Sequence, residues 1–387
     1  MRVVVAPDKF KGSLPAVEVA GAIAAGLRAG LPTAELVTIP VADGGDGTVD
    51  AAVAAGFDRV TVTVAGPTGE PVRASYARRG DVAVVELACA CGLTRLPGGR
   101  PEPLTASSFG AGQALAAALE AGARRIIFGV GGSASTDGGA GLLQALGARI
   151  LGPRGESLAR GGAALRDVAA LDLGGLHPAL RGCPVILATD VANPLTGPDG
   201  AAEVYGPQKG ASPEQVRELA SGLRCWAAVV AEVTGTDWSQ APGAGAAGGV
   251  GFAALAVLGA EPRPGIAVVL DLAGFDAALD GTDLVITGEG SLDAQTLAGK
   301  APIGVARAAA RRGIPVVAVA GRSTLTEGEL AGAGIAGVYP LSDLEPDLAR
   351  SIAGASGLLR RVGQAIVRDW LAGAGREDAR REDARRE

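Results

Sequence analysis

Short β-branched runs alternate with helical segments at both ends of the chain, and this alternation constrains the fold more than any other feature. Residues 2–6 (RVVVA) and 36–42 (LVTIPVA) predict buried strands. Each precedes a segment with helical periodicity, the first beginning at Ser13 as its capping residue and the second covering 48–56. The same order of strand and helix returns from residue 283. Strands joined by helices predict an α/β fold with a parallel sheet.

The middle of the chain follows a different pattern. Residues 59–88 contain three alternating strands joined by short turns, which predicts an antiparallel meander before helix and strand alternate again. We therefore expect two α/β domains. The first is discontinuous, 1–58 plus 282–375, and has a parallel sheet; the second, 59–281, is inserted and has a mixed sheet. The charged pentads repeated over 376–387 predict a solvated tail.

Composition narrows the classes of function. A net charge of −6 argues against nucleic acid as a partner, because nucleic-acid-binding proteins need a basic face. The stretch 246–260 is too short and too rich in small residues to span a bilayer, so no membrane partner is expected. The four cysteines match no zinc pattern and the chain starts directly in a strand, which together predict a cytoplasmic protein with reduced thiols.

Five glycine-rich or acidic stretches follow predicted strands, and these are the candidates for chemistry. Open α/β sheets bind ligands at the carboxyl ends of their strands. Small residues let backbone N–H groups approach an anion, whereas carboxylates suit a cation. The combination indicates a bound nucleotide and magnesium. The stretches are 6–13 (APDKFKGS), 42–48 (ADGGDGT), 129–139 (GVGGSASTDGG), 189–197 (TDVANPLTG) and 287–296 (TGEGSLDAQT).

Each of the acidic residues in these stretches also has a purely structural interpretation. Asp43, Asp46 and Asp137 could cap helices or occupy turns. Asp190 could form an Asx turn. Glu289 and Asp293 could interact favourably with the dipole at the start of a helix. The recurrence of the pattern at five strand ends favours the functional interpretation.

Two other classes of function stay open on the residues alone. Gly243–Gly248 has the spacing G-x-G-x-x-G, and a predicted strand over 266–271 ends in Asp271, which would suit a dinucleotide-dependent oxidoreductase acting on a hydroxy acid. The segment before Gly243 is no strand, so a glycine-rich helix entry explains the spacing more simply. The third class is a non-catalytic sensor of small anions.

Six motifs together resemble the bacterial glycerate kinases of the first type, over nearly the whole chain up to about residue 372. The motifs are APDKFKGS, VADGGDGT, GGSASTDGGAG, TDVANPLTGPDGAAEVYGPQKGA, GAGAAGG and DLVITGEGSLDAQTLAGKAPIGVA. Lys9 and Asp46 depart from the family pattern, where a small polar residue and a glutamate are expected.

The resemblance implies ATP-dependent phosphorylation of D-glycerate, with 2-phosphoglycerate a more expected product than 3-phosphoglycerate. It also implies a flavodoxin-like domain and a second domain resembling restriction endonucleases. The five stretches at strand ends are expected to converge on one cleft between the two domains. The partners are then glycerate and ATP with Mg²⁺, and the protein is expected to be a monomer or a homodimer.

Roles for the candidate residues follow from what phosphoryl transfer needs, which is positioning and charge neutralisation. Asp190 is assigned as the base, with Lys11 and Lys300 as catalytic cations. The metal candidates are Asp43, Asp46, Asp137, Glu289 and Asp293. The substrate- or nucleotide-binding candidates are Lys9, Ser13, Gly44, Gly45, Gly131, Gly132, Ser133, Asn193, Lys209, Gly288, Gly290 and Ser291.

Lysine usage supports part of this assignment. Only four of the 35 Lys and Arg residues are lysines, and all four lie in the motif stretches. A lysine kept in such a chain indicates a place where a compact point charge suits better than a planar guanidinium. We expect Lys11, Lys209 and Lys300 to face the same cleft and Lys9 to be a solvated residue.

Overall fold

The computed structural model describes residues 1–297 and 299–371. Within them the chain forms thirteen β-strands, which are β1 (Arg2–Pro7), β2 (Glu35–Thr38), β3 (Asp58–Ala65), β4 (Pro71–Arg79), β5 (Val82–Glu86), β6 (Arg125–Gly129), β7 (Arg149–Leu151), β8 (Ala170–Asp172), β9 (Val185–Ala188), β10 (Glu261–Arg263), β11 (Leu284–Leu292), β12 (Val316–Ser323) and β13 (Gly337–Pro340).

The same residues form fourteen α-helices, which are α1 (Ala16–Gly30), α2 (Thr48–Ala54), α3 (Leu87–Cys91), α4 (Phe109–Glu120), α5 (Ala140–Ala145), α6 (Ala201–Tyr205), α7 (Pro213–Thr234), α8 (Ala246–Ala256), α9 (Gly265–Leu272), α10 (Phe275–Ala278), α11 (Ala294–Leu297), α12 (Ala301–Ala310), α13 (Glu327–Gly332) and α14 (Leu348–Ile366). Short 3₁₀ segments and a π-helical segment, Val367–Leu371, complete the described elements. Among the helices of these residues, none is long and apolar enough to cross a membrane.

Two compact units divide the chain. The first unit comprises Met1–Asp43 and the described chain from Val269 onward, and the second comprises Gly44–Val268. Helix α2 belongs to the second unit, where it packs against β4 and β5. The domain limits expected from the sequence, near residues 58 and 282, stay a prediction, and the expected tail at 376–387 lies outside the described residues.

The first unit is built on a five-stranded parallel sheet with the strand order β2-β1-β11-β12-β13. This is the order of flavodoxin-like folds, as the resemblance implied. Helices α1 and α14 pack together because two glycines let their backbones approach. A Cβ at Gly26 would lie 2.1 Å from the Arg360 carbonyl oxygen, and one at Gly363 would lie 2.5 Å from that of Ile23.

The second unit is built on a mixed six-stranded sheet with the order β10-β9-β6-β5-β4-β3. Strands β3, β4 and β5 form the predicted antiparallel meander, and β5, β6, β9 and β10 run parallel to one another. Its core contains large side chains that are fully buried, among them Tyr76, Phe128 and Trp226. The predicted fold class, two α/β domains with a parallel and a mixed sheet, is confirmed.

Three local predictions were wrong. Ser13 does not cap α1, because reciprocal backbone hydrogen bonds between Phe10 and Leu14 close a turn there and the helix begins at Ala16. Residues 266–271 are the interior of α9 and no strand, since a short buried apolar run has no periodicity that separates helix from strand. The stretch 287–296 does not simply follow its strand, because β11 continues through residues 287–292 along β12.

Candidate functional site

Three glycine-containing loops of the second unit pack backbone against backbone. A Cβ at Gly131 would lie 2.5 Å from the Gly45 Cα, and a Cβ at Gly129 would lie 2.7 Å from the Gly44 carbonyl oxygen. Gly44 has φ +85° and a Cβ there would lie 2.6 Å from the Gly265 Cα. Only glycine fits at this distance of approach. The loops after Asp43 and after β6 are therefore brought together within the second unit.

Asp190 joins the same group of loops through the start of α9. It lies two residues beyond β9, is exposed, and its Oδ1 accepts a hydrogen bond from the Gly265 N–H at 3.0 Å. Asn193 is engaged locally instead, because its amide donates to the Asp199 carbonyl at 2.9 Å and accepts from the Tyr205 hydroxyl at 2.7 Å. The carboxylate of Asp190 thus has a defined orientation.

Asp137 is buried in the second unit and is saturated with hydrogen bonds. Its Oδ2 accepts from the Ser108 N–H at 2.7 Å, the Ser108 hydroxyl at 2.9 Å, the Ser107 hydroxyl at 3.1 Å and the Gly141 N–H at 3.3 Å. Its Oδ1 accepts from the Gly139 N–H at 3.2 Å. This arrangement favours a structural role at the start of α5; the assignment of Asp137 as a metal ligand stays a prediction.

Lys209 is also buried in the second unit, with 3% of its surface exposed. Its Nζ donates to the Ser133 hydroxyl at 2.8 Å and to the Ser135 carbonyl oxygen at 2.5 Å. Burial lowers the pKa of Lys209 to about 7, and the charge of Asp137 opposes this shift. The ammonium therefore lies beneath the loop that contains Gly131, Gly132 and Ser133.

A polar cavity of about 410 Å³ opens beside Asp46 in the second unit, lined by Asp46, Gly47, Asp50, Arg59, Ser75, Glu86, Ala88, Cys89, Thr94 and Arg95. Glu86 ends β5, is 3% exposed, and its Oε2 accepts from the Val49 N–H at 3.0 Å. Burial raises the pKa of Glu86 to about 7, against the hydrogen bonds from the Val49 and Gly47 backbone, and the charges of Asp46 and Asp50 raise it further.

The first unit gathers acidic and basic residues at the carboxyl ends of β1 and β11. Asp8 is 6% exposed, and the Lys9 Nζ lies 3.8 Å from its Oδ1. Burial raises the pKa of Asp8 to about 7; Lys9 opposes the shift, and the charges of Asp43 and Glu289 add to it. Three carboxylates are thus close enough to influence one another. Lys9, expected to be a solvated residue, is an ion-pair partner here.

Glu289 links this cluster to the start of α11 and α12. Burial raises its pKa, the hydroxyl of Thr296 and the charge of Lys300 lower it, and the charges of Asp43 and Asp293 raise it. The Thr296 hydroxyl donates directly to the Glu289 Oε1. Of the predicted residues, Asp43, Glu289, Asp293 and Lys300 therefore share one electrostatic environment.

Gly288, Gly290 and Ser291 lie in β11 beside the turn that contains Lys11. A Cβ at Gly290 would lie 3.3 Å from the Lys11 backbone nitrogen, which brings these two motifs together. The Ser291 Oγ accepts from Arg322 at 3.2 Å. Ser13 is engaged elsewhere, because its hydroxyl donates to the Ile352 carbonyl at 3.1 Å.

Two buried carboxylates were missed by the sequence reasoning, Asp8 and Glu86. Each ends or directly follows a buried strand, Asp8 after β1 and Glu86 in β5. The same rule that singled out the other acidic residues would have found them. No group of three or more His, Cys, Asp or Glu residues within 1–297 and 299–371 is arranged to hold a metal ion by itself.

The dinucleotide interpretation of Gly243–Gly248 was wrong in its geometry. The element before it is the helix α7 and not a strand, and Asp271 lies in α9 and does not end a strand. Ala247, Gly248 and Gly249 instead adopt left-handed backbone conformations at the start of α8. Gly248 packs against the loop after β6, where a Cβ on it would lie 2.2 Å from the Ser135 carbonyl oxygen.

The fold and the site residues define an α/β protein with polar, glycine-rich stretches at the carboxyl ends of parallel strands. The sequence profile of the glycerate kinase family matches residues 3–371. The chain is 45% identical to the glycerate kinase of Bacillus subtilis, over 83% of this chain and 85% of that one. It is also 45% identical to the glycerate 2-kinase of Escherichia coli, over 88% and 90% of the two chains.

A solved structure agrees with these relatives. The crystal structure of a Salmonella typhimurium LT2 protein described as glycerate kinase 2 superimposes with a TM-score of 0.84 at 41% identity, and the match covers 97% of this chain and 99% of that one. The chain therefore belongs to the glycerate kinase family and is a kinase. The predicted resemblance is confirmed, and with it the kinase class replaces the oxidoreductase and sensor alternatives.

Proposed function

We propose that the protein transfers the terminal phosphoryl group of ATP to D-glycerate and forms 2-phosphoglycerate. The observation that carries this proposal is membership of the glycerate kinase family over residues 3–371. The name of the Escherichia coli relative, glycerate 2-kinase, favours the 2-hydroxyl over the 3-hydroxyl as acceptor.

The glycine loops of the second unit are suited to phosphate. Backbone N–H groups can approach an anion closely only where no side chain intervenes. Gly131 and Gly132 provide such a surface, and the buried Gly44 and Gly45 pack against these loops. Phosphoryl transfer requires positioning and charge neutralisation more than covalent chemistry. We assign phosphate contacts to these loops and to the Ser133 segment, and we assign substrate contacts to Gly288–Ser291 with Lys9 and Lys11.

The carboxylates of the first unit suit Mg²⁺. Mg²⁺ prefers oxygen ligands and usually takes only one or two carboxylates together with waters and substrate phosphates. Asp43 and Glu289 would hold it, with Asp8 beside them; when bound, the ion would neutralise charge on the nucleotide phosphates. The charge of Asp43 raises the pKa of both Asp8 and Glu289, and this supports the fit because a cation would relieve that repulsion. Asp46 and Asp293 are the alternative ligands.

Asp190 is the proposed acceptor of the proton from the attacking hydroxyl of glycerate. The Gly265 N–H holds its Oδ1 and so limits the orientations of the carboxylate. Lys11 and Lys300 are proposed to stabilise charge on the transferring phosphoryl group. The expected position of these residues in a cleft between the domains stays a prediction.

A direct assay tests the proposal. The purified protein is incubated with D-glycerate, Mg²⁺ and ATP; ADP release is followed and the phosphorylated carbon is identified by NMR. No ADP release in the presence of glycerate would refute the function, and a 3-phosphoglycerate product would refute the regiochemistry.

Replacing Asp190 tests its role separately. We expect Asp190→Asn to lower kcat by about 10²-fold or more, the scale of a lost general base. Asp199→Asn is the matched control, because Asp199 is an exposed carboxylate of the same loop. Normal turnover of Asp190→Asn would remove Asp190 from the mechanism but leave the function intact.

The remaining assignments concern the cell and the assembly. We propose a cytoplasmic location, which the four free cysteines support: Cys89, Cys91, Cys183 and Cys225. A monomer or a homodimer remains our expectation, and light scattering at working concentration would decide between them.

A further inference from the structure

We infer that Lys209 is a positioning residue for the loop 131–136 and does not itself contact glycerate or ATP. This inference rests on the proposed function, in which that loop binds phosphate. The ammonium group is almost completely buried and is bound to the loop from the side of the protein core, by hydrogen bonds to the Ser133 hydroxyl and the Ser135 carbonyl oxygen.

The loop has no comparable support from its own hydroxyl groups. Ser135 and Thr136 are fully buried, and neither hydroxyl oxygen has a hydrogen-bond partner in the described structure. Ser133 reaches the Ser135 carbonyl only at 3.5 Å. The Lys209 ammonium is therefore the donor that joins the two ends of the Ser133–Ser135 segment, and charge-assisted hydrogen bonds are stronger than neutral ones.

Two neighbouring features keep the ammonium in this place. Asp137 supplies the opposing negative charge and is itself fixed by the N–H groups at the start of α5. Gly248 closes the other side, since a Cβ on it would lie 2.9 Å from the Lys209 Nζ. Its carbonyl accepts from the Gly138 N–H at 3.0 Å.

The backbone next to Gly248 is strained, which indicates that this closure matters. Ala247 has φ 54°, and within the described residues it is the one non-glycine residue with a positive φ. A left-handed alanine costs about 1–2 kcal/mol. Such strain persists where the surrounding structure requires it and is common at functional sites. Here it brings Gly248 against both the loop and Lys209.

The inference makes a specific kinetic prediction. A small misplacement of a phosphate-binding loop can cost about 10²-fold in rate, so Lys209→Met should lower kcat by about that factor. Because Lys209 does not touch glycerate, the KM for glycerate should stay within about twofold. Lys209→Arg should not restore activity, because the ammonium is almost completely buried and a planar guanidinium is larger and has a different reach. A rise confined to the KM for glycerate would overturn the inference.

A double-mutant cycle with Ser133 tests whether Lys209 affects the rate through its hydrogen bond to the Ser133 hydroxyl. Ser133→Ala should lower kcat/KM by about tenfold through loss of one hydrogen bond to a charged group. The double variant should be no worse than Lys209→Met alone, because both changes break the same interaction. If the losses in kcat/KM of the two single variants were fully additive, Lys209 would act through contacts other than its hydrogen bond to Ser133.

Hydrogen exchange provides a readout that does not depend on activity. Lys209→Met should speed amide exchange in peptides covering 131–136 by about tenfold or more, while peptides covering β12 in the first unit serve as the control. Unchanged exchange in 131–136 would overturn the inference even in an active kinase. If the wild-type protein lacks kinase activity, the proposed function fails, and the exchange experiment still decides whether Lys209 holds the loop.

Discussion

Replacing Asp137 by asparagine separates a structural carboxylate from a metal ligand. Four donors meet the Oδ2 of Asp137 and one meets its Oδ1. An amide nitrogen in place of Oδ2 would face all four donors, so the Asp137→Asn side chain should place its nitrogen at the Oδ1 position. In that orientation the Gly139 N–H loses its acceptor and the four other hydrogen bonds become neutral ones.

The loss of stability expected for Asp137→Asn follows from the number of these hydrogen bonds. A hydrogen bond to a charged group is worth about 1.5–3 kcal/mol and a neutral one about 0.5–1.5 kcal/mol, so each of the four bonds weakens by about 1 kcal/mol. Burying a neutral amide costs less free energy than burying a carboxylate, and this difference offsets part of the loss. Lys209 also loses its opposing charge. We expect a net destabilisation of about 3–5 kcal/mol, the range for removing one partner of a buried charged network.

Urea unfolding of the full chain measures this change. The Trp226 indole N–H donates to the Gly138 carbonyl at 2.9 Å, so its fluorescence reports the structure next to Asp137. Trp238→Phe and Trp370→Phe remove the other two indoles from the signal. Asp199→Asn is the control, because Asp199 is exposed and its replacement should change stability by no more than about 0.5 kcal/mol. An Asp137→Asn variant within about 1 kcal/mol of the parent but without kinase activity would refute the structural reasoning and support metal binding.

Three further outcomes are expected. Glu86 has a folded-state pKa of about 7, above its usual 4.5, so its contribution to stability is present below pH 4.5 and is lost as the pH rises to about 7. The free energy of unfolding of Glu86→Gln should therefore rise relative to that of the parent between pH 5 and 8, by about 3 kcal/mol at most. If the stability of the two proteins depended on pH in the same way, the raised pKa of Glu86 would be contradicted. Gly131→Ala should lower kcat/KM and cost about 1–3 kcal/mol in urea unfolding, since its Cβ would overlap the Gly45 Cα. Gly21→Ala, on an open face of α1, should instead raise stability by about 0.5–1 kcal/mol, and a loss there would show that the helix tolerates no side chain at that position.

Much of the fold could be predicted from local patterns. The alternation of β-branched runs with helices predicted the parallel sheet of the first unit, because β-branched runs and neighbouring segments of period 3.6 are both visible over a few successive residues. The meander over β3, β4 and β5 followed from short turns between alternating strands. Where periodicity was absent the prediction failed, as at 266–271, which packs as the buried helix α9.

The candidate residues were found in the same local way, since glycines and carboxylates at strand ends are visible in the printed sequence. The surroundings of these residues in the folded chain could not be predicted in this way. Asp137 and Asp46 have the same side chain and a similar motif context, yet Asp137 is buried among five donors and Asp46 is exposed beside a cavity. No pattern within either motif distinguishes them, because the donors of Asp137 include Ser107 and Ser108, which lie 30 and 29 residues earlier in the chain.

The lysines show both what the sequence predicts and what depends on the folded structure. Composition alone indicated that the four lysines occupy special positions, because arginine provides nearly all other positive charge. It could not show that Lys209 lies under a loop while Lys11 is exposed. Burial is set by residues that are distant in sequence and adjacent in the folded chain, here Ser133, Ser135 and Gly248 around one ammonium group. Residue types and their spacing were therefore enough for the family and the architecture, whereas the pKa and the role of each charged group depend on packing that forms only when the chain folds.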